Sequence, residues 1–339
     1  MLTLHLQKAI DIYNTAIKIN PNLSPVYNLL GYAYRFLEQH HKSEKIFKKY
    51  IKLIPNDPNP YDSYAELLMK MGEYEVSIDQ YEKALSIDSN FIASHIGIAT
   101  NLNFIGKHEE ARLQIKKLYD LARNDGERRQ ALFSEAVSYA DEGKLDEALE
   151  IVKVQYSIAE KMNDAASMAG DLFNMGNIFI EAEEYEKSLS KFKSSLKTIM
   201  DSNLSKEFKE NAKLNSLFTR ALIAMYQKKF DFANKKSQEF MAGVQLKKSV
   251  NQIRFAHELA GRIAFHEANH NKAINELQKS NLQNPYNLYR IALSYHKMGE
   301  LDNTILYLQK TVTYNALNNL NYAFCRTKAK RLLIDLQTK

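Results

Sequence analysis

The most suggestive chemical motif in the sequence is a His-Glu-x-x-His pattern at residues 266–270. On a continuous helix, histidines four residues apart share one face, where both imidazoles can bind a Zn²⁺ ion while the intervening glutamate activates a water molecule. If His266, Glu267 and His270 were arranged in this way, the chain would carry out metal-dependent hydrolysis. The pattern therefore has to be weighed against the helices that would position it.

The helical register around the motif argues against a zinc site. Ala268 stands at the turn position that glycine fills in other parts of the chain, so the two histidines are expected on different helices. Asn269 is a typical helix-capping residue, and no third ligand is evident, since Glu276 lies inside the next helix. The sequence has no phosphate-binding loop, Ser-His-Asp order or cysteine-centred site. We therefore predict that the protein is not an enzyme and has no catalytic residues, metal or cofactor.

A repeated helical pattern runs through the whole sequence. A small residue is followed four positions later by a large residue and seven positions later by another packing residue, and these offsets share one helix face. The pattern appears at Ala9-Tyr13-Ala16 and returns after 34 residues at Ser43-Phe47-Tyr50 and again at Ser77-Tyr81-Ala84. It continues from Ala111, Ala148, Ser188, Ala233, Ala273 and Thr304. Self-similarity at this period indicates an array of helical repeats.

Another helix precedes each of these segments except the first. Its register is marked by a small residue that lets a neighbouring backbone approach: Gly31, Ala65, Ala99, Ala136, Gly176, Ala221, Gly261 and Ala292. Short turns join the two helices, and several contain glycine, which suits the left-handed conformation that ends a helix. The spacing of the small residues rises to 40 and 45 in the middle of the chain, which predicts lengthened helices near residues 158–164 and 201–213.

These segments resemble the tetratricopeptide repeat family. Residues 28–34 (Asn-Leu-Leu-Gly-Tyr-Ala-Tyr) and Met71-Gly72-Glu73-Tyr74 through Ala84 match its pattern closely. The resemblance implies an all-α fold, an α-α superhelix of about eight helix-turn-helix repeats with an N-terminal half repeat and a C-terminal capping helix. We expect one continuous solenoid with regular repeats at 1–123, lengthened repeats at 124–250, and further repeats with the capping helix at 251–339. We also expect a loop at 124–127.

The resemblance further implies that the first helix of each repeat lines a ligand-binding groove. The residues three before, one after and four after each small residue form the stripe that faces it. This stripe is polar in the early repeats, apolar in the middle repeats and mixed in the late ones. The candidate peptide-binding residues are Phe133, Val137, Phe173, Asn177, Phe218, Leu222, Arg262 and Tyr289. Phe133 and Phe173 fit the groove and the core equally well, whereas Phe218 fits the core better, because Arg220 occupies an expected core position.

Such a groove suits a protein or peptide partner with an apolar segment or an amphipathic helix. Repeats of this family that bind the C-terminal carboxylate of chaperones carry Lys three residues before the small residue and Asn one after it. The corresponding pairs here are Asn28/Tyr32, Asp62/Glu66 and Ile96/Thr100. We therefore expect no carboxylate-clamp binding of chaperone tails.

The composition is that of an ordinary soluble protein, with 45% hydrophobic residues and a formal net charge of +6. The densest basic stretch is Arg326, Lys328, Lys330 and Arg331, and we interpret it as the solvated face of a final helix, so no direct nucleic-acid binding is expected. No apolar run approaches the roughly 18 residues of a membrane helix, so no membrane insertion is expected. A single cysteine, Cys325, favours the cytoplasm, although a disulfide-free periplasmic protein would have the same composition.

Two functional classes follow from this pattern. The leading hypothesis is a protein-interaction scaffold that binds a peptide or partner protein in the groove. The alternative is a peptide-sensing or regulatory segment of a larger bacterial signalling or transcription-regulating protein. The first helix of the chain lacks the partner helix of its repeat, which favours a larger parent protein.

Overall fold

Helices account for the regular secondary structure in the computed structural model, which describes the backbone of residues 2–338 and the side chains of residues 5–338. Their bounds are α1 Leu2–Ile19, α2 Ser24–Phe36, α3 His40–Leu53, α4 Pro58–Met71, α5 Tyr74–Ile87, α6 Ile92–Phe104, α7 His108–Leu121, α8 Asp125–Glu142, α9 Leu145–Lys161, α10 Ala165–Glu181, α11 Tyr185–Asp201, α12 Lys206–Tyr226, α13 Phe230–Leu246, α14 Val250–His266, α15 His270–Lys279, α16 Pro285–Lys297, α17 Leu301–Val312 and α18 Leu320–Gln337. Between α1 and α18 the described helices form eight consecutive pairs. The predicted all-α repeat fold is confirmed, including the half repeat in front and the single helix behind.

Two compact units divide these helices. Unit 1 contains the residues up to Ser134 together with Asn315–Asn318, and unit 2 contains residues 135–314 and 319–338. Within each unit, successive helices pack as hairpins, as α4 does with α5 and α10 with α11, and neighbouring hairpins are in contact, as α5 is with α6 and α11 with α12. First helices also contact the first helix of the following repeat, as α4 does with α6 and α12 with α14. This arrangement is that of stacked helical repeats, in which each repeat buries its apolar face on its neighbour.

The small residues of the first helices lie where the two helices of a repeat approach most closely. A Cβ atom on Gly31 would lie less than 3.0 Å from the ring of Phe47, and one on Gly176 would lie equally close to the ring of Phe192. Ala221 occupies the same position in α12 and is fully buried. The predicted phase of the repeats is therefore correct in both the regular and the lengthened part of the chain.

A left-handed turn closes the first helix of the repeat in α4. Gly72 adopts a φ of +85°, and its amide and that of Glu73 donate to the carbonyls of Met69 and Leu68 at 3.1 and 3.0 Å. These bonds satisfy carbonyl groups that the end of a helix would otherwise leave unpaired. The chain can then reverse into α5 within two residues.

The prediction of a loop at residues 124–127 is wrong. Helix α8 begins at Asp125, so Asp125, Gly126 and Glu127 form its first turn. Asn124 accepts a hydrogen bond from the Glu127 amide at 3.0 Å, which caps the helix, and acidic side chains in a first turn complement the helix dipole. The predicted lengthening is present, since α12 has 21 residues and α10 has 17.

The basic residues of α18 only partly face water, which corrects the sequence-based interpretation. Arg326 is buried, and its Nε donates to Asp141 at the end of α8 at 2.8 Å. Lys328 donates to Glu181 at the end of α10 at 2.7 Å. Lys330 is exposed as predicted. The cause of the difference is that α18, besides covering α16 and α17, faces carboxylates of earlier repeats in unit 2.

The close approach at Gly176 predicts opposite effects of two matched substitutions in α10. Gly176→Ala should lower the free energy of unfolding by about 1–3 kcal/mol, because the new methyl group overlaps the Phe192 ring. Gly170→Ala should raise it by about 0.5–1 kcal/mol, because no atom lies within 4 Å of a Cβ there. Urea denaturation measures both. A gain in stability at position 176 would mean that the repeat phase is misassigned.

The buried pair of α18 predicts a large loss of stability on truncation. Arg326→Met should lower the free energy of unfolding by about 3–5 kcal/mol, because Asp141 loses its guanidinium partner while remaining buried. The matched control is Lys330→Met on the exposed side of the same helix, which should change stability by less than about 0.5 kcal/mol. Equal effects of the two substitutions in urea denaturation would show that the Arg326–Asp141 pair does not hold α18 in place.

Candidate peptide-binding surface

The eight residues predicted from the sequence all lie on first helices, but they differ in accessibility. Phe173 is 40% exposed, whereas the others are buried (Val137, Leu222, Arg262 and Tyr289) or half-buried (Phe133, Asn177 and Phe218). Phe133 belongs to unit 1, and the other seven belong to unit 2. Phe173 is therefore the predicted residue that presents the most accessible apolar surface.

Phe218 and Leu222 take part in the core of unit 2. The ring of Phe218 packs edge-on against Phe240 with the centroids 5.8 Å apart, and Leu222 is 2% exposed in the same cluster. Arg220, which the sequence placed at a core position, is exposed, and its guanidinium lies 5.7 Å from the ring centroid of Phe232. Helix α12 keeps the regular phase, and its arginine simply points away from the core.

Arg262 is buried in a polar network that joins α12, α14 and α16. Its guanidinium donates to the Tyr226 hydroxyl at 3.1 Å and lies 3.5 Å from Oε1 of Glu258. The same oxygen accepts from Arg290 at 3.2 Å, and the other Glu258 oxygen accepts from Asn287 at 2.9 Å. One carboxylate thus compensates the guanidinium groups of buried Arg262 and half-buried Arg290. These contacts explain why Arg262 is turned into the structure.

Phe173 lies in an open cleft between α10, α11 and α12, which we call the Phe173 cleft. Its ring packs on Phe192 with the centroids 5.1 Å apart, and Phe208 of α12, 43% exposed, lines the same cleft. The cleft has a volume of about 450 Å³. Its other apolar lining residues are Ala166, Ala169, Gly170, Leu196, Ile199 and Ala212. Two exposed phenylalanines in one concave site are unusual on a protein surface and are typical of a binding site.

Two features of the sequence open this cleft. Helix α12 begins 15 residues before its small residue, Ala221, whereas α10 begins 11 residues before Gly176. The extra turn adds about 6 Å of helix at the end where Phe208 and Asn211 lie. The lining of α10 is small, and Gly170 leaves open space beside its backbone. A long helix next to small side chains therefore produces a cavity instead of a filled interface.

Amide side chains line the rim of the Phe173 cleft. Asn211 and Asn215 are one turn apart on α12, and each accepts a hydrogen bond through Oδ1, from Lys247 and from Gln252 respectively. Within the described residues, the Nδ2 donors of both asparagines make no hydrogen bond. The sequence analysis did not include Phe208, Asn211 and Asn215, because it took the stripe to begin three residues before the small residue. In α12 that residue is Ala221, and these three side chains lie further towards the N-terminus. The signal that could have found them was the 45-residue spacing, which predicted the lengthening at 201–213.

The opposite end of α10 is engaged by the chain itself. Glu181 accepts hydrogen bonds from the Tyr286 hydroxyl at 2.8 Å and from Lys328 at 2.7 Å. Burial and the neighbouring Glu181 charge raise the pKa of Tyr286 well above its usual value, so its hydroxyl remains a donor. Phe173 lies eight residues earlier, or about 12 Å along the helix. One end of α10 is thus closed by α16 and α18, and the other end is accessible.

Unit 1 carries a polar stripe on its first helices. Glu66 accepts a hydrogen bond from the Tyr32 hydroxyl at 2.9 Å and pairs with Arg35. Asp62 accepts from the Ser94 hydroxyl at 2.8 Å. Burial raises the pKa of Asp62 to about 7, with the Ser94 hydrogen bond opposing this shift and the charge of Glu66 adding to it. Asp62 and Glu66 stand where a carboxylate clamp would carry Lys and Asn, and the absence of chaperone-tail binding stays a prediction.

The His-Glu-x-x-His pattern lies across a turn, as its register predicts. Helix α14 ends at His266, α15 begins at His270, and Ala268 between them has a φ of +60°. The His266 ring instead contacts Tyr226, with centroids 5.2 Å apart. Among the described residues, no three His, Cys, Asp or Glu side chains are grouped so that they could hold a metal ion. None of the described helices combines the length and apolarity that a membrane span requires.

Comparisons with known proteins identify the repeats. Models described as the tetratricopeptide repeat match residues 24–57, 59–91 and 286–315. A tetratricopeptide repeat-containing protein of Methanocaldococcus jannaschii is 26% identical over 319 residues. The aligned region is 90% of this chain and 53% of that protein, so the chain spans about half the length of the curated relative.

Solved structures with similar helical repeats are more distant in sequence. YrrB, described as a tetratricopeptide repeat protein with an unusual peptide-binding site, is 21% identical, with a TM-score of 0.35 and coverage of 59% of this chain and 97% of that one. The Cut9–Hcn1 hetero-tetramer is 15% identical, with a TM-score of 0.42 and coverage of 96% of this chain and 59% of that one.

The raised pKa of Asp62 predicts a pH-dependent stability difference. The folded protein holds this proton up to about pH 7, whereas the unfolded chain releases it near pH 3.9, so the wild type loses stability through this group as pH rises between those values. The free energy of unfolding of Asp62→Asn, relative to that of the wild type, should therefore rise by roughly 1–3 kcal/mol between about pH 5 and pH 8. Urea denaturation at each pH gives the difference. The control, Asp79→Asn at an exposed site of α5, reports how the loss of a solvated carboxylate affects stability at each pH. A constant difference at Asp62 would contradict the prediction.

Proposed function

This chain belongs to the tetratricopeptide repeat family, and we propose that it is a protein-interaction scaffold that binds a peptide segment of its partner in the Phe173 cleft. The observation that carries the proposal is the exposure of Phe173 and Phe208 in one concave apolar site. An apolar side chain of the partner would enter this cleft and remove both rings from water. Aromatic anchors of this kind supply much of the binding energy at protein interfaces.

The amides at the rim favour an extended peptide. Asn211 and Asn215 are four residues apart on a helix, so their side chains are about 6 Å apart along its axis. Backbone carbonyls on one side of an extended chain repeat every two residues, or about 6.6 Å. The two Nδ2 donors can therefore reach successive carbonyls on the same side of the peptide. The asparagines would thus bind the peptide backbone, and the apolar cleft would bind one of the peptide's apolar side chains.

A scaffold function also agrees with the chemistry of the rest of the chain. Tetratricopeptide repeat proteins are typically not enzymes, and the one motif that suggested catalysis lies across a turn. The polar groups of the stripe in unit 2, such as Arg262 and Glu258, are used in internal contacts. The Phe173 cleft is then the best-supported place for a partner in this unit.

The proposal predicts that Phe173→Ala weakens partner binding without a large loss of stability. Peptides of twelve residues selected on the wild-type chain from a random displayed library should bind the variant at least about fivefold more weakly, which corresponds to about 1 kcal/mol. Fluorescence anisotropy gives the affinity, and urea denaturation gives the stability. Phe192→Ala is the comparison, because this ring is buried and its loss should cost about 3–5 kcal/mol of stability. If Phe173→Ala lost a similar amount of stability and kept its affinity for the peptides, Phe173 would be a core residue.

A further inference from the structure

The positive charge of the chain is concentrated in α11, α12 and α13, of which α11 and α12 line the Phe173 cleft. From Tyr185, where α11 begins, to Ser249, just before α14, the sequence has fourteen Lys and Arg residues and six Asp and Glu residues. The remainder of the chain has 32 basic and 34 acidic residues. This one segment therefore accounts for the whole net charge of +6, and the rest of the chain is slightly acidic.

Two lysines lie next to residues that line the cleft, since Lys209 follows Phe208 in α12 and Lys247 bonds Asn211, and we count both as part of its rim. Both have neutral acceptors. Lys247 donates to the amide oxygen of Asn211, and Lys209 donates to the carbonyl oxygen of Ser202 in the turn between α11 and α12. Neither lysine forms an ion pair within the described side chains. A neutral oxygen orients an ammonium group but does not cancel its charge.

Three other lysines of the segment lie beside carboxylates. Lys197 pairs with Asp201, and Lys236 pairs with Glu239 at 2.6 Å. On α12 itself, Glu210 lies 3.9 Å from Lys206. Three of the six acidic residues of the segment thus lie beside lysines other than the two at the rim. The uncompensated charge at Lys209 and Lys247 flanks the apolar site on α12.

We propose that the Phe173 cleft binds an acidic peptide segment, in which an aromatic or aliphatic side chain enters the cleft and flanking Asp or Glu carboxylates pair with Lys209 and Lys247. The inference rests on the proposed function and adds the charge of the partner to it. Positive potential over the segment attracts an acidic chain from a distance and accelerates association, and the attraction weakens as salt screens it. The apolar anchor then determines how long the complex lasts.

The apolar lining of the Phe173 cleft favours a peptide over a nucleic acid. A nucleic-acid duplex would be held by the lysines through its phosphates, and its stacked bases could not enter the cleft to contact Phe173. An acidic peptide can use both features, because one short segment can carry an apolar side chain together with carboxylates. The combination of two exposed rings and two uncompensated lysines in one site therefore favours the peptide.

The experiment selects twelve-residue peptides from a random displayed library on the full chain and measures their affinities by fluorescence anisotropy. Enriched peptides should combine Asp or Glu with an aromatic or aliphatic residue, and their affinity should fall at least about tenfold between roughly 50 and 500 mM NaCl. Lys209→Gln/Lys247→Gln should weaken binding by at least about fivefold. Lys228→Gln/Lys235→Gln removes the same charge from exposed sites of the same segment and should change affinity by less than about twofold.

Several outcomes would overturn the inference and separate it from the proposed function. Neutral or basic peptides that still require Phe173 would leave the scaffold proposal intact and refute the acidic partner, as would equal losses in the two lysine variants. Peptides whose binding is unaffected by Phe173→Ala, or no enrichment at all, would refute both. A labelled 20-nucleotide oligo-dT that binds through Lys209 and Lys247 and is indifferent to Phe173→Ala would show that the basic segment is a polyanion surface.

Discussion

The contact between a small residue of a first helix and a large side chain of the following second helix sets the geometry of a repeat. At Gly176 and Phe192 this contact leaves no room for even a methyl group. It fixes the rotation of α10 about its own axis, and with it the direction in which every other side chain of the helix points. Phe192 has a second role, because its other neighbour is the ring of Phe173. The Phe192 ring that sets the repeat phase therefore also packs against Phe173 in the cleft.

The sequence predicts this level of structure because the constraint is local and repeated. Small and large residues at fixed offsets report which face of a helix is buried, and nine repetitions make the phase unambiguous. The same logic placed the His-Glu-x-x-His pattern across a turn, since Ala268 falls where Gly72 and Gly299 end their helices. The loop prediction at 124–127 failed for a local reason: Asn124 caps the first turn of α8, and Gly126 is tolerated in that turn.

Contacts between distant repeats are not encoded in this periodicity. Arg326 and Asp141 are 185 residues apart, and neither violates the pattern of its own helix, so nothing in either segment indicates the pair. The eight candidate site residues show the same limit. The stripe rule placed them on first helices, but it could not indicate that Arg262 would be engaged by Tyr226 and Glu258. Accessibility is decided by neighbours that the stripe does not contain.

Helix α10 illustrates how accessibility and charge are divided within one repeat. At its C-terminal end, Glu181 is engaged by Tyr286 and Lys328, so the chain supplies its own hydrogen-bond donors there. At its N-terminal half, the longer α12 and the small residues of α10 leave Phe173 uncovered, and the nearby ammonium groups of Lys209 and Lys247 have only neutral acceptors. The exposed rings leave apolar surface in contact with water, and the two ammonium groups keep their charge available to an anion. A partner that covers the rings and brings carboxylates to the rim would use both features, which is why we place the ligand at the open end of α10 and not at its closed end.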